Sequence, residues 1–176
     1  MAVPLSNVLL DKGVVRRYYE AQVRLAEGAL PTASQREARK VFARLAADQS
    51  QHYITKETAN VLALRPPQYA EHILSTTLRL QKARYLRRWA RRLRSYMFSP
   101  EDAVMLAYCN FGVDELRQLP FIEALLTGDV RLLNNFNENQ TKIQARFERM
   151  TRALPEPFKR LRLPAVLTPR ILLALT

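Results

Sequence analysis

The chain is short of cysteine, histidine and acid, and each shortage narrows what it can do. Of its 176 residues one is cysteine, Cys109, so no internal disulfide can form and a cysteine-rich metal site is excluded. That usage fits a reducing compartment. Cys109 lies among Leu106, Ala107, Tyr108 and Phe111 on an expected helix, where a buried inert thiol is the plain reading. The two histidines, His52 and His72, are far apart and have no cysteine near them, which argues against a zinc site. Neither completes a Ser–His or Cys–His arrangement for nucleophilic catalysis. No basic segment followed by an apolar core opens the chain, so no secretory leader is expected. The longest apolar stretch, 161–175, is broken by Arg162, Pro164, Pro169 and Arg170 and cannot span a bilayer. A cytoplasmic protein without a membrane partner is the expectation.

Acid is the most telling shortage. Asp and Glu number 16 against 28 Lys and Arg, a net charge of +12, and most of the cations are Arg. Such a surface attracts polyanions, and the planar guanidinium suits bidentate phosphate contact. What is present fits a folded globule: 48% apolar and 25% charged residues, without repeats, low-complexity tracts or linkers. At this length the whole chain, 1–176, is expected to be one domain.

Hydrophobic periodicity places strands at 3–10, 52–54, 121–126 and 164–167. Between them it places helices at 14–26, at 35–47 and from Thr55, as N-cap, to the Pro66-Pro67 break. A long helical stretch then runs to about residue 97, with a kink or split expected at Thr76-Thr77. Ser99 caps the next helix, with Pro100 at its first position. An amphipathic helix covers 140–154, and Thr168-Pro169 begins a last helical turn. Strands alternating with helices indicate an α/β fold with a short parallel central sheet of about four strands.

Three aspartates stand at the polar ends of apolar runs. Asp11 closes Val8-Leu9-Leu10, Asp102 opens the run 103–107, and Asp129 closes the run 124–128. In open α/β sheets the crevice at the strand carboxyl ends is where ligands bind. Carboxylates gathered there repel one another unless a hard divalent cation neutralises them. The expectation is a Mg²⁺ or Mn²⁺ site that hydrolyses a phosphate ester, with nucleic acid the natural substrate for so basic a chain. Singly, each acid has a plainer reading: the helix dipole favours Asp102 in a first turn, and Asp129 after Gly128 suits a turn.

With these pieces in order, the chain resembles the PIN-domain family, which includes the VapC-like toxins of bacterial toxin–antitoxin pairs. Val8-Leu9-Leu10-Asp11-Lys12-Gly13-Val14-Val15 is similar to the family's opening strand and first acid. Phe98-Ser99-Pro100-Glu101-Asp102-Ala103-Val104-Met105-Leu106-Ala107 is similar to the helix start with its third acid. Leu125-Leu126-Thr127-Gly128-Asp129-Val130-Arg131-Leu132-Leu133 is similar to the strand end with its fourth acid, and Val166-Leu167-Thr168-Pro169-Arg170-Ile171-Leu172-Leu173 to the closing strand and helix. The chain departs from the family at Lys12-Gly13, where Ser, Thr or Asn usually follows the first Asp. It departs again at Asn60, which aligns with the family's second acid; Glu57 lies one turn earlier on the same helix.

The resemblance implies a PIN-like three-layer α/β/α fold and a metal-dependent endoribonuclease, the toxin of a toxin–antitoxin pair. Asp11, Asp102 and Asp129 would hold Mg²⁺ or Mn²⁺, and either Glu57 or Asn60 would complete the catalytic set. The implied partners are RNA, a small antitoxin protein and a second copy of the chain. Thr127 and Asn135 are candidates to stand behind the acids or touch substrate. Within the Arg-rich helix expected over 82–94, Arg84, Arg87, Arg88 and Arg91 are candidates to hold RNA backbone, with Trp89 and Leu93 turned inward. Arg16, Arg17, Arg36, Arg39 and Lys40 are further basic positions. The competing expectation is a PIN-like fold that binds RNA or protein without catalysis, its site weakened by Lys12 and Asn60; a DNA-processing nuclease stands third.

Overall fold

A computed structural model of the chain describes residues 5–175. Its centre is β1, Asn7–Leu10, whose Val8, Leu9 and Leu10 are all fully buried. Burial on both faces is the mark of a strand covered by helices above and below, and explains the continuous apolar run. The helix α1, Lys12–Ala26, starts immediately after Asp11 and buries Val14, Val15, Tyr18 and Ala21. In α2, Ala33–Ala47, the Thr32 hydroxyl accepts from the Gln35 amide while the Gln35 side chain reaches back to the Thr32 amide. This capping box satisfies two otherwise orphan donors. The strand β2, Gln51–Thr55, ends at Thr55, whose hydroxyl caps α3, Lys56–Ala63.

After Pro66 the helix α4, Pro67–Thr76, leads to strand β3, Leu78–Lys82, and then to α5, Leu86–Leu93. The helix α6, Pro100–Phe111, capped by Ser99, runs into the two-residue strand β4, Gly112–Val113. Strand β5, Ala124–Leu126, precedes the long α7, Val130–Arg152; β6, Ala165–Leu167, and α8, Pro169–Ala174, close the chain. The six strands form one mixed sheet in the order β4-β3-β2-β1-β5-β6. Every pairing is parallel except β3 with β4.

Strand alternation divides the core into two. Leu9, Tyr53, Leu80, Leu125 and Val166 pack with Trp89, Phe111 and Phe147 from α5, α6 and α7. Val8, Leu10, Ile54 and Leu126 pack with Val15, Phe42, Ile73 and Leu172 from α1, α2, α4 and α8. Helices therefore cover both faces of the sheet, as the α/β reading expects. Among the described residues no helix is long and apolar enough to cross a membrane.

Five expectations need correction. The sheet has six strands rather than about four, and it is mixed rather than parallel throughout. The stretch after Pro67 is not one helix: β3 interrupts it directly after Thr77, the point at which a split was expected. The strand expected over 121–126 is confined to Ala124–Leu126, because Phe121 takes a positive φ of 51°. The helix expected over 140–154 begins ten residues earlier, at Val130. The opening strand starts at Asn7, and positions 3 and 4 of its expected span lie outside the described residues.

Candidate active site

Strand order reverses at β1. From β1 the chain moves outward through β2 and β3, then crosses back to place β5 and β6 on the other side. The crevice at the carboxyl ends of β1 and β5 is thus a topological switch point, where open α/β sheets bind ligands. Asp11 closes β1 at this point, and its amide donates to the Leu126 carbonyl at 2.9 Å. Thr127, fully buried, continues β5. Its hydroxyl donates to Asp11 Oδ2 at 3.0 Å and accepts from the Asp129 amide at 3.0 Å. One hydroxyl so ties the first acid to the start of α7.

Burial pushes the Asp11 carboxyl above its ordinary pKa. The Thr127 hydroxyl, the Lys12 amide and the Lys12 charge pull it back, while the neighbouring charge of Asp102 adds to the rise. Asp11 and Asp102 are therefore within electrostatic reach of each other. Asp129 is employed differently: its carboxylate accepts from the Arg131 amide at 2.8 Å and the Leu132 amide at 3.2 Å, capping α7. Among the described residues no three Asp, Glu, His or Cys side chains converge closely enough to hold one ion. Against Gly128, between these elements, lies the Arg17 guanidinium.

Beside Asp11 opens a cleft of about 840 Å³ between α1, α3 and α6. Each helix offers it one stripe at three- and four-residue spacing. From α1 come Lys12, Val15, Arg16, Tyr19 and Glu20; from α3, Thr58, Val61 and Leu62, with Arg65 just past its end; from α6, Glu101, Val104, Met105 and Tyr108. Glu57 and Lys82 complete the rim, and charges alternate around it. Lys12 pairs with Glu101, Arg16 with Glu20 at 3.6 Å, and Lys82 with Glu57 at 2.7 Å. Tyr108 donates to Glu57 Oε2 at 2.8 Å. Burial raises the Glu57 pKa, but the hydrogen bonds from Lys82, its own amide and Tyr108 outweigh it and leave the carboxyl below its ordinary value. The Tyr108 hydroxyl is pushed well up, by burial and then by the Glu57 carboxylate.

Of the two candidates for the second position, Glu57 lines the cleft and Asn60 is exposed outside it. Asn135 holds the chain instead of facing the cleft: its Nδ2 donates to the Tyr96 carbonyl at 2.9 Å. Cys109 is buried, and burial raises its thiol pKa far from a reactive range. Arg84, Arg87, Arg88 and Arg91 share a second surface depression with Lys82, while Trp89 and Leu93 point into the core as expected. Arg36, Arg39 and Lys40 line a third depression, with Tyr18, Phe42 and His52, away from the acids.

Against family models, curated proteins and solved structures, the chain finds no match. The functional reading therefore stands on the residues and their geometry.

Lys82, Glu101 and Tyr108 are site residues that sequence reasoning passed over. The signal for two of them was present. Glu101, Val104, Met105 and Tyr108 repeat at helical spacing, and that repeat marks the cleft-lining face of α6. Lys82 reaches Glu57 only because β3 pairs with β2, a contact with no local signature.

Proposed function

We propose that this chain is a metal-dependent endoribonuclease with a PIN-like three-layer α/β/α fold, acting on RNA at the crevice above β1. The observation that carries the reading is Asp11: a half-buried carboxylate at the switch point, oriented by Thr127, with Asp102 as a charged neighbour. A carboxylate pushed up by burial and by a second carboxylate is what a hard cation relieves, and the donors are all oxygen, as Mg²⁺ or Mn²⁺ requires. Asp11 and Asp102 would hold the ion, and Asp129, whose carboxylate caps α7, would have to leave that cap to join them. Such an ion supplies Lewis acidity toward a phosphate oxygen and a more acidic water. Thr127 fixes the Asp11 carboxylate, and Lys82 and Tyr108 fix Glu57 at the cleft rim. A toxin role with a small antitoxin, and a homodimer, follow from the family resemblance.

One observation favours the competing reading, an RNA- or protein-binding module without catalysis. The cleft supplies its own cations: Lys12 and Lys82 already pair with Glu101 and Glu57, and Asp129 is spent on a helix cap. Incubating total RNA with the purified chain, with Mn²⁺ or with EDTA, separates the two. Cleavage should need Mn²⁺ and fall at least about a hundredfold in Asp11→Asn, with Thr127→Ala losing about 10- to 100-fold as a residue that orients a ligand. Undiminished cleavage by Asp11→Asn would end the proposed role of Asp11 and the site built on it, and no cleavage by the wild type under any metal would leave the binding module.

A further inference from the structure

The cations of α5 continue beyond that helix. Trp89 and Phe147 meet with ring centroids 5.0 Å apart, setting α5 against α7. Arg88 and Arg92 belong to α5, and Arg146 and Arg149 to α7. They are close enough to feel one another: burial, and then the charges of Arg88, Arg146 and Arg149, hold the Arg92 guanidinium below its ordinary pKa. At the opposite end, Lys82, Arg84, Arg87, Arg88 and Arg91 line a depression of about 770 Å³. Lys82 belongs to this depression and to the cleft beside Asp11 alike, so the two surfaces are continuous. Apart from Lys82, none of these cations makes an ion pair among the described residues.

We infer that the stripe from Lys82 along α5 to Arg146 and Arg149 of α7 is a track that holds the phosphate backbone of RNA as the strand enters the cleft. The inference rests on the proposed ribonuclease only in naming RNA. Clustered guanidiniums without acidic partners repel one another, and a strand of evenly spaced phosphates relieves that repulsion while displacing counterions. Arginine suits the role because its fork meets two phosphate oxygens at once. The two rings beside the track are already engaged: Trp89 is fully buried, and Tyr85 packs edge-on to Phe158 at 5.1 Å with the Arg84 guanidinium over its face. Recognition is therefore of backbone, and independent of base sequence.

The test is binding of labelled oligouridylate and oligoadenylate to the Asp11→Asn chain in EDTA, so that cleavage plays no part. Both should bind alike, with affinity falling steeply as salt rises. The pair Arg87→Glu/Arg91→Glu and the pair Arg146→Glu/Arg149→Glu should each weaken binding about tenfold or more and lower the salt slope by about 1.4, two phosphate contacts at about 0.7 each. Arg39→Glu/Lys40→Glu, on the other side of the sheet, changes net charge equally and should leave binding nearly intact. Circular dichroism checks folding, and Arg→Gln versions of each pair replace any charge reversal that disturbs it. Wild-type affinity in either track pair, equal loss in the α2 pair, or a strong preference for one base overturns the track. Tight, track-dependent binding without Mn²⁺-dependent cleavage sinks the nuclease and spares the track; cleavage untouched by the track variants does the reverse.

Discussion

Burial disfavours the charged form of a titratable side chain, and two residues here show opposite uses of that rule. Asp11 is pushed toward its neutral form at the mouth of the cleft, where a cation can reach it. His52 is held neutral inside the fold, with 8% of its surface exposed, against Phe42 and with Nδ1 at 3.1 Å from the Ser50 carbonyl. Burial lowers its pKa, the Ser50 carbonyl pulls it back, and the charge of His72 lowers it further. In the unfolded chain His52 takes up a proton near its ordinary pKa of about 6.5. The folded chain does so only at lower pH, so the unfolded state gains protons first and stability falls as pH drops through that window. Urea midpoints between pH 8 and 6, above the carboxylate range, should decline in the wild type and decline less in His52→Asn. Parallel slopes would show that His52 is not the group responsible.

Among the elements, tight approaches to two glycines make contrasting demands. At the join of α6 and β4, a side chain on Gly112 would place its Cβ 2.6 Å from the Tyr108 carbonyl oxygen, which is backbone and cannot swing aside. Gly112→Ala should lose about 1–3 kcal/mol in urea unfolding, as overpacked sites do. At Gly128 the obstacle is the end of the Arg17 side chain, which can move, so Gly128→Ala should cost well under half as much. Equal losses would refute the distinction between rigid and flexible neighbours.

The same elements show what the sequence could reveal. β1, β2 and β6 announce themselves through apolar runs with clear stops, and Thr32, Thr55 and Ser99 mark helix starts with caps that the structure forms. β3 was hidden because Leu78–Lys82 reads Leu-Arg-Leu-Gln-Lys and buries only Leu80; its pairing with β2 is what makes it a strand. The first turns of α7 were hidden by Asn134, Asn135, Asn137 and Asn139, weak helix formers. The Asp129 cap and the buried Leu132, Leu133 and Phe136 override that weakness. The site followed the same pattern. The position of Asp11 was legible from one local run. The employment of Asp129 as a cap, and the union of Glu57 with Lys82 and Tyr108, depend on contacts distant in sequence.

Over the whole molecule, 28 cations face 16 acids, and pairing does little to offset the excess. Of the five ion pairs among the described residues, only Arg44–Asp48 is mostly shielded, with side chains 27% and 25% exposed. Exposed pairs contribute about 0–1 kcal/mol each, so screening them loses little. Repulsion among the unpaired arginines of α5 and α7 acts over longer distances and is screened far more, as the Debye length shrinks from about 30 Å at 0.01 M salt to about 8 Å at 0.15 M. Added NaCl over this range should therefore raise Tm, each 1 kcal/mol appearing as about 2–4 °C at this chain length. Arg87→Glu/Arg91→Glu should melt above the wild type at the lower salt and respond less to its increase, because the repulsion is already relieved. A Tm that falls with salt, or a variant that melts lower at low salt while still folded, would show that paired charges rather than clustered arginines govern the electrostatics of this fold.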